Sequence, residues 1–164
     1  MSIYLHFRAV AESEIRDDHT WLAAFMYEAW ERVAEECEAG IADAINKAWG
    51  RVNDFYGAAR APGVDSETSS LPIYGGRPVG HSADADLGNP PMMILDPPDV
   101  SKAADFLASV SFDESWRIAG AGFGGHGEND ALFRQEFLAY HESLLAFYGQ
   151  AASAGHSVVK VVWA

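Results

Sequence analysis

One segment constrains the fold of this chain more than any other: the run SVVKVVW at residues 157–163. Four valines around a single polar residue are typical of a β-strand that is buried on at least one face. A buried strand needs partner strands. Residues 3–10 supply one, because their side chains alternate between two faces and include branched and aromatic types. A short apolar run at residues 92–95 is a further strand candidate. The sequence therefore predicts a small central sheet that contains the first and last strands.

Amphipathic segments predict helices that pack on this sheet. The apolar residues from Trp21 to Cys37 recur every four positions, so we expect one helix there with an acidic outer face. The glutamates of that face are Glu28, Glu31, Glu35 and Glu36. Residues 41–56 carry a second apolar stripe, which predicts an αα-hairpin with the first helix. Cap motifs and stripes predict three further helices, at 96–110, 111–120 and 129–154. The expected fold is a mixed α/β domain with about five helices around the sheet.

The chain has 164 residues, which suits one domain, and we assign residues 1–164 to a single α/β domain. Residues 57–91 are rich in Gly, Pro, Ser, Asp and Ala and have no sustained periodicity, so we predict a long irregular segment there. A loop of this length inside a compact domain is usually functional or disordered. Its part LPIYGGRPVG, residues 71–80, contains aromatic and apolar anchors, and we expect that part to be ordered.

Charge limits the partners that this chain can bind. Eleven Lys and Arg residues against 24 Asp and Glu residues give a net charge of −13. Nucleic acids and anionic membranes need a basic surface, so we expect neither as a partner. The beginning of the sequence lacks the basic and apolar regions of a signal peptide, and no apolar run approaches the ~20 residues that span a bilayer. A cytoplasmic location follows as the expectation, with a single cysteine, Cys37, and no disulfide.

The sequence contains partial matches to a cofactor motif and to a metal site, but the residues around each match do not fit such a site. Residues 120–125, GAGFGG, match the dinucleotide fingerprint, but a predicted helix rather than a strand precedes them. We therefore interpret them as a linker between helices and predict no cofactor. No histidine pair has the helical spacing of a zinc site, and His81 with Asp84 and Asp86 is interpreted as a solvated loop, so we predict no metal. Neighbouring glutamates oppose a thiolate at Cys37, which predicts a buried structural thiol.

Three segments together resemble a known family. They are INKAWGRVNDFYG at 45–57, ILDPPDV at 94–100 and FYGQAASAGHSVVKVVWA at 147–164. The chain resembles the YfbM-like family of small bacterial proteins of unknown function. That resemblance implies a mixed α/β fold and brings no activity, cofactor or catalytic residue. Members of the family commonly have an Asp-Lys pair before the helical Trp and a His four residues after it. Here Asn46 and Asn53 replace the acid and the imidazole around Trp49, so this helix is not expected to perform acid–base chemistry.

Two charged residues and one histidine stand out as candidate site residues. Glu136 and His141 fall inside the apolar stripe of the last helix, where a carboxylate must be paired or perturbed. Arg77 is the only Lys or Arg between Arg60 and Lys102. We expect an Arg77–Glu136 pair that holds the structure together, with an anionic ligand on Arg77 as the alternative.

A polar strip on the second predicted helix completes the candidate site. Asn46 and Asn53 lie seven residues apart with Gly50 between them, so both face one side. If Arg77 borders the same cleft, the site suits a small polar ligand with one negative charge. The full set of candidate binding residues is Asn46, Trp49, Asn53, Tyr74, Arg77, Glu136 and His141.

Two functions are compatible with these patterns. The favoured one is a non-enzymatic binding or interaction domain whose acidic helical face contacts a basic protein. The alternative is a small-molecule-binding protein or enzyme, with a pocket lined by the 71–80 loop and the last helix. Salt distinguishes them, since only the charge-driven association weakens steeply with ionic strength. The sequence does not indicate an oligomeric state.

Overall fold

A five-stranded antiparallel sheet forms the centre of the protein. The structure, a computed structural model, describes residues 3–81, 88–123 and 129–164. The strands are β1 (Tyr4–Ala11), β2 (Ala42–Asn46), β3 (Arg77–Val79), β4 (Met92–Leu95) and β5 (His156–Trp163). Their order across the sheet is β2-β1-β5-β4-β3. β5 pairs with β1 along its whole length, from Trp163 opposite Tyr4 to His156 opposite Ala11. The prediction that the first and last strands share one sheet is confirmed.

Seven α-helices surround the sheet within the described ranges. They are α1 (His19–Glu31), α2 (Val33–Glu38), α3 (Trp49–Ala59), α4 (Ser66–Ser70), α5 (Pro97–Ser109), α6 (Phe112–Ala119) and α7 (Asp130–Ser153). α1 begins after Asp18, whose carboxylate accepts a hydrogen bond from the backbone N–H of Trp21. The predicted helix over 21–37 is divided at Arg32, where φ is −114° and ψ is 15°. The mixed α/β class is confirmed, with more helices than the five expected.

Alternation along the strands gives the sheet two apolar faces. Leu5, Phe7 and Val158 point to one face, and the apolar sides of α3, α5, α6 and α7 cover it. Val159 and Ile94 point to the other face, which packs mainly on α1. The α3 and α7 helices therefore lie on the opposite side of the sheet from α1, and this arrangement decides which predicted site residues can meet.

The second predicted helix begins later than expected, and the predicted αα-hairpin is wrong. Residues 42–46 form β2, in which Ile45 pairs with Leu5 of β1. The Asn46 side chain accepts a hydrogen bond from the N–H of Ala48, and α3 begins at Trp49. A short apolar run fits a helix and a strand equally well from its pattern alone. Here pairing with the edge of β1 favours the strand.

The predicted irregular segment at 57–91 contains ordered elements at its centre. α4 begins after Asp65, whose carboxylate accepts a hydrogen bond from the N–H of Thr68 at 2.7 Å. β3 pairs with β4, with Arg77 opposite Ile94. The expectation that the 71–80 stretch is ordered agrees with this pairing.

Candidate functional site

A buried lysine fixes the turn at residues 71–75 from inside the protein. Nζ of Lys160, on β5, donates hydrogen bonds to the carbonyls of Leu71 at 2.7 Å, Gly75 at 2.7 Å and Ile73 at 3.3 Å. Burial lowers the pKa of Lys160 well below its ordinary value. Three carbonyl acceptors nevertheless need three N–H bonds, which only the ammonium form supplies. The Tyr148 hydroxyl donates to the Pro72 carbonyl at 2.6 Å, so four carbonyls of the turn have buried partners.

The fixed turn places Tyr74 against the start of α3. The rings of Tyr74 and Trp49 meet edge to face, with their centroids 5.7 Å apart. A Cβ at position 50 would lie 3.2 Å from the Tyr74 hydroxyl, so Gly50 permits this close approach. Gly76 has φ of +133°, a conformation that favours glycine. Two of the predicted site residues, Trp49 and Tyr74, therefore do meet.

Arg77 does not pair with Glu136, and that prediction is wrong. The Arg77 guanidinium instead contacts Asp17, with Nη1 to Oδ2 at 2.7 Å, and Asp96, with Nε to Oδ2 at 3.0 Å. The reason lies in the sheet. Arg77 stands opposite Ile94, whose side chain points to the α1 face, whereas Glu136 belongs to α7 on the other face.

Glu136 borders a different cleft, at the start of α3. It accepts a hydrogen bond from the Tyr140 hydroxyl at 2.9 Å. An open cleft of about 360 Å³ lies between Glu136 and the stretch that runs from Asn46, at the end of β2, through Lys47 to Arg51 in α3. The sequence prediction found Asn46 and Glu136 but missed the two cations. The signal was present, because Lys47 and Arg51 lie on either side of Trp49 in the sequence.

Arg51 is already engaged on the protein. Its guanidinium lies 5.5 Å from the ring centroid of Phe133 and 5.6 Å from that of Phe137, and it donates a hydrogen bond to the Phe123 carbonyl. Arg51 therefore serves as a contact between α3 and α7. Its positive charge remains, so the cleft carries two cations, Lys47 and Arg51, against one carboxylate, Glu136.

His141 is a buried structural residue. Its Nδ1 lies 3.0 Å from the Tyr56 hydroxyl, and its ring stacks on Phe112. Burial lowers the pKa of His141, which favours the neutral imidazole. Asn53 Oδ1 and Trp49 Nε1 are buried and have no hydrogen-bond partner among the described residues. The predicted site residues thus divide among several places and do not line one cleft.

A pocket was predicted between the 71–80 loop and the last helix, but the depression beside this loop is lined by different elements. A shallow depression of about 610 Å³ is lined by Tyr74 and Arg77 together with residues of α4 and α5, including Ser66 and Asp99. The last helix is absent from this lining in the part of the chain that the structure describes. α7 reaches the loop from the core side, through Tyr148.

An aromatic patch lies beside the acidic face, where α1 meets the ends of β1 and β5. The patch consists of Tyr4, Tyr27, Trp30 and Trp163. Ring centroids are 4.8 Å apart for Tyr27–Trp163, 5.8 Å for Trp30–Trp163 and 5.5 Å for Tyr4–Trp30. Tyr27 is 47% exposed, the most exposed tyrosine of the patch. Beneath it lies His6, whose Nδ1 accepts a hydrogen bond from Nε1 of Trp163 at 3.2 Å.

Three of the four glutamates predicted for the acidic face are exposed, and the fourth is buried. Glu28 and Glu31 are exposed and make no ion pair among the described residues, whereas Glu35 pairs with Arg32 at 3.1 Å. Glu36 was expected on the same face, and that prediction is wrong. It is buried and binds the Arg8 guanidinium at 2.7 Å.

The structure adds no observation in favour of a metal or cofactor site at the residues that the sequence analysis considered. Within the described ranges, no group of three or more His, Cys, Asp or Glu residues is arranged to hold a metal ion. Asp84 and Asp86 lie outside the described residues. The last two glycines of the 120–125 motif also lie outside them, and its first three residues, 120–122, form a 3-10 turn directly after α6. Cys37 is partly exposed, and burial together with Asp43 and Glu36 raises its pKa to about 11.

Comparison with known proteins places the chain in a family. The model of the family described as "Domain of unknown function (DUF1877)" matches residues 1–161. The chain belongs to the DUF1877 family. Among solved structures, a protein of unknown function, YfbM from Escherichia coli, has a TM-score of 0.54 and 14% identity, covering 98% of this chain and 99% of that one. No curated protein matches this chain.

The predicted resemblance to YfbM-like proteins is therefore confirmed. At 14% identity the structural neighbour shows the fold alone, and neither comparison names an activity. No helix among the described residues is both long and apolar enough to cross a membrane.

Proposed function

We propose that this protein binds a basic segment of a partner protein through the acidic and aromatic face of α1. The observation that carries the proposal is the position of exposed Tyr27 next to Glu31, an exposed carboxylate that makes no ion pair among the described residues. Glu31 follows Tyr27 by four residues, so the two side chains are neighbours on the helix surface. An arginine of the partner can stack on the Tyr27 ring and donate hydrogen bonds to the Glu31 carboxylate.

Overall charge supports a basic partner over a second copy of this chain. A net charge of −13 makes two copies repel each other and attracts a cationic segment from a distance. Arginine suits the aromatic patch better than lysine, because its planar guanidinium stacks on rings as well as forking onto carboxylates. We further propose that this binding takes place in the bacterial cytoplasm, and the structural neighbour from Escherichia coli and the single cysteine support that setting.

A direct test titrates the protein with a short peptide of alternating arginine and glycine. Trp30 and Trp163 lie in the patch, so tryptophan fluorescence reports on its occupancy. We expect binding that weakens steeply between about 0.05 M and about 0.3 M salt. Tyr27→Ala should weaken binding about three- to fivefold by removing the cation–π contact. Glu31→Gln should weaken it further.

Matched controls distinguish this face from general acidity. Tyr74 is 46% exposed but lies on the 71–75 turn, so Tyr74→Ala removes an equally exposed tyrosine elsewhere. Glu67→Gln removes an exposed carboxylate on α4. Both should leave the affinity for the peptide unchanged. The proposal is wrong if the peptide does not bind, or if the control variants weaken binding as much as Tyr27→Ala and Glu31→Gln.

A further inference from the structure

A pocket between three helices on the opposite face of the sheet has features of a small-molecule site. It has a volume of about 300 Å³ and lies between the end of α3, the connection after it, the end of α5 and α6. Its wall is apolar and includes Tyr56, Val64, Phe106 and Val110. A concave, largely apolar cavity with a few polar groups is the usual form of a binding site for a small organic molecule.

Tyr56 lines this pocket with its aromatic ring, because its hydroxyl is hydrogen-bonded to His141 in the core. The hydroxyl lies 3.0 Å from His141 Nδ1 in the core, and the ring of Phe106 meets that of Tyr56 edge to face at 5.6 Å. These two rings form a rigid aromatic wall. A ring or a branched aliphatic chain is the ligand group that such a wall accommodates.

One serine brings a free hydroxyl to the pocket. Ser115 of α6 lines it and is only 6% exposed, yet its hydroxyl makes no hydrogen bond with any described residue. Ser109, also in the lining, is different because its hydroxyl donates to the Phe106 carbonyl at 2.6 Å. The Ser115 hydroxyl is not one of the fully buried, unpartnered side-chain atoms of the described residues, so solvent reaches it and a ligand can bond to it. Ser115 therefore supplies a polar contact for a ligand.

The rim of the pocket carries one cation, Arg60, in a chain that is rich in carboxylates. Arg60 donates a hydrogen bond to the Gly57 carbonyl at 3.1 Å and has no ion pair among the described residues. Glu114 also lines the pocket, but the Arg117 guanidinium binds it, with Nε to Oε2 at 2.9 Å. The Thr68 N–H and then the nearby Arg60 guanidinium lower the pKa of the Asp65 carboxylate, but Asp65 and Arg60 make no salt bridge among the described residues. Arg60 uses one N–H on the Gly57 carbonyl, so other N–H groups of its guanidinium can donate to an anion in the pocket.

We propose that this pocket binds a small carboxylic acid with one ring or a short branched chain. The apolar part lies against Tyr56 and Phe106, the carboxylate pairs with Arg60, and Ser115 contributes a hydrogen bond. This site is separate from the α1 face, and its occupancy does not depend on the binding of a basic segment.

The test uses phenylacetate and 4-methylpentanoate as probes, with phenylacetamide as the neutral match to phenylacetate. Amide resonances of the pocket residues in a two-dimensional NMR spectrum report where each probe binds. We expect both carboxylates to shift resonances of α6 and of the end of α5, and phenylacetamide to bind about fivefold more weakly. Arg60→Gln should reduce the affinity for phenylacetate to that for the amide. Equal binding of amide and carboxylate, or no shift with either acid, overturns the proposal.

A second pair of variants tests the location without disturbing the core. Ile118 lines the pocket and is 56% exposed, so Ile118→Glu places a negative charge at the mouth. Leu132→Glu makes the same change at a 64% exposed position on α7, outside the pocket lining. We expect Ile118→Glu to weaken binding of phenylacetate and Leu132→Glu to leave it unchanged. Equal effects of the two variants contradict the assignment.

Discussion

His6 lies fully buried beneath the aromatic patch and makes the fold sensitive to acid. Burial, and then the nearby Arg8 guanidinium, lower its pKa from 6.5 to about 4. The folded protein therefore resists a proton that the unfolded chain accepts. This contribution to stability is fully present above pH 6.5 and is lost as the pH falls toward 4. The loss amounts to about 3 kcal/mol, at 1.36 kcal/mol per pKa unit.

The variant His6→Gln should remove this part of the acid sensitivity. Its amide oxygen can accept the hydrogen bond from Trp163 Nε1, and it does not titrate in this range. Urea unfolding at about pH 7 and about pH 4.5 measures the difference, which should shrink by about 2 to 3 kcal/mol relative to the wild type. His156→Gln, at the opposite end of the sheet and partly exposed, is the matched control. An unchanged pH dependence in His6→Gln would contradict the assignment to His6.

The buried Lys160 holds the 71–75 turn in place, although the two are far apart in the sequence. Lys160→Met leaves the carbonyls of Leu71, Ile73 and Gly75 without a donor, at about 1 to 3 kcal/mol for each unsatisfied group. Relief from burying a charge offsets part of this. We expect a net loss of about 2 to 4 kcal/mol in the free energy of unfolding, measured by urea denaturation. Tyr148→Phe, which frees only the Pro72 carbonyl, should cost about 1 to 2 kcal/mol.

Stability of Lys160→Met equal to the wild type would show that the turn does not depend on the lysine. The sequence marks Lys160 as the polar residue in a β-branched run, but it does not reveal this role. The acceptor carbonyls lie 85 to 89 residues away along the chain, so no local pattern connects them to the lysine.

At the scale of elements, Arg77 joins β3 to two neighbours by exposed ion pairs. Its partners are Asp17, before α1, and Asp96, before α5, and all three side chains are at least 40% exposed. Water screens such pairs, so Arg77→Ala should change the free energy of unfolding by about 0 to 1 kcal/mol. Thermal unfolding followed by circular dichroism measures this. A loss of several degrees would mean that the two contacts support the sheet edge more strongly than exposed ion pairs do.

The elements that the sequence predicts are those with a long or alternating pattern. β1 and β5 have clear alternation or a β-branched run, and α5 and α7 have caps and long stripes. β2 was missed because Ile41 and Ile45 extend the stripe of α3 by chance, and only the pairing with β1 decides its conformation. β3 has three residues, one of them proline, so its pairing with β4 leaves no detectable period.

At the scale of the whole molecule, the sheet separates the predicted site residues. The sequence pattern singles out Arg77 and Glu136, and both make specific polar contacts. It could not show that they lie on different sides of the sheet, because that depends on the strand order β2-β1-β5-β4-β3. The same order places the acidic and aromatic face of α1 on one side and the α3–α5–α6 pocket on the other, so the two proposed sites can be tested independently.

β5 makes the end of the chain essential to the whole fold. It lies between β1 and β4, so deleting residues 157–164 divides the sheet into the pairs β2-β1 and β4-β3. The deletion also removes Val158, Val159 and Val161 from the two cores and removes the lysine that holds the 71–75 turn. Exposed strand edges and apolar faces promote aggregation.

We expect the truncated protein to be insoluble, or to have helical circular dichroism without near-ultraviolet signal or cooperative unfolding. Removal of Ala164 alone is the control, because this exposed residue follows β5, and it should leave unfolding cooperative. A soluble truncation that unfolds in one sharp transition would show that the remaining strands form a sheet without β5. In that case the central position of the strand would not be what holds the two apolar faces together.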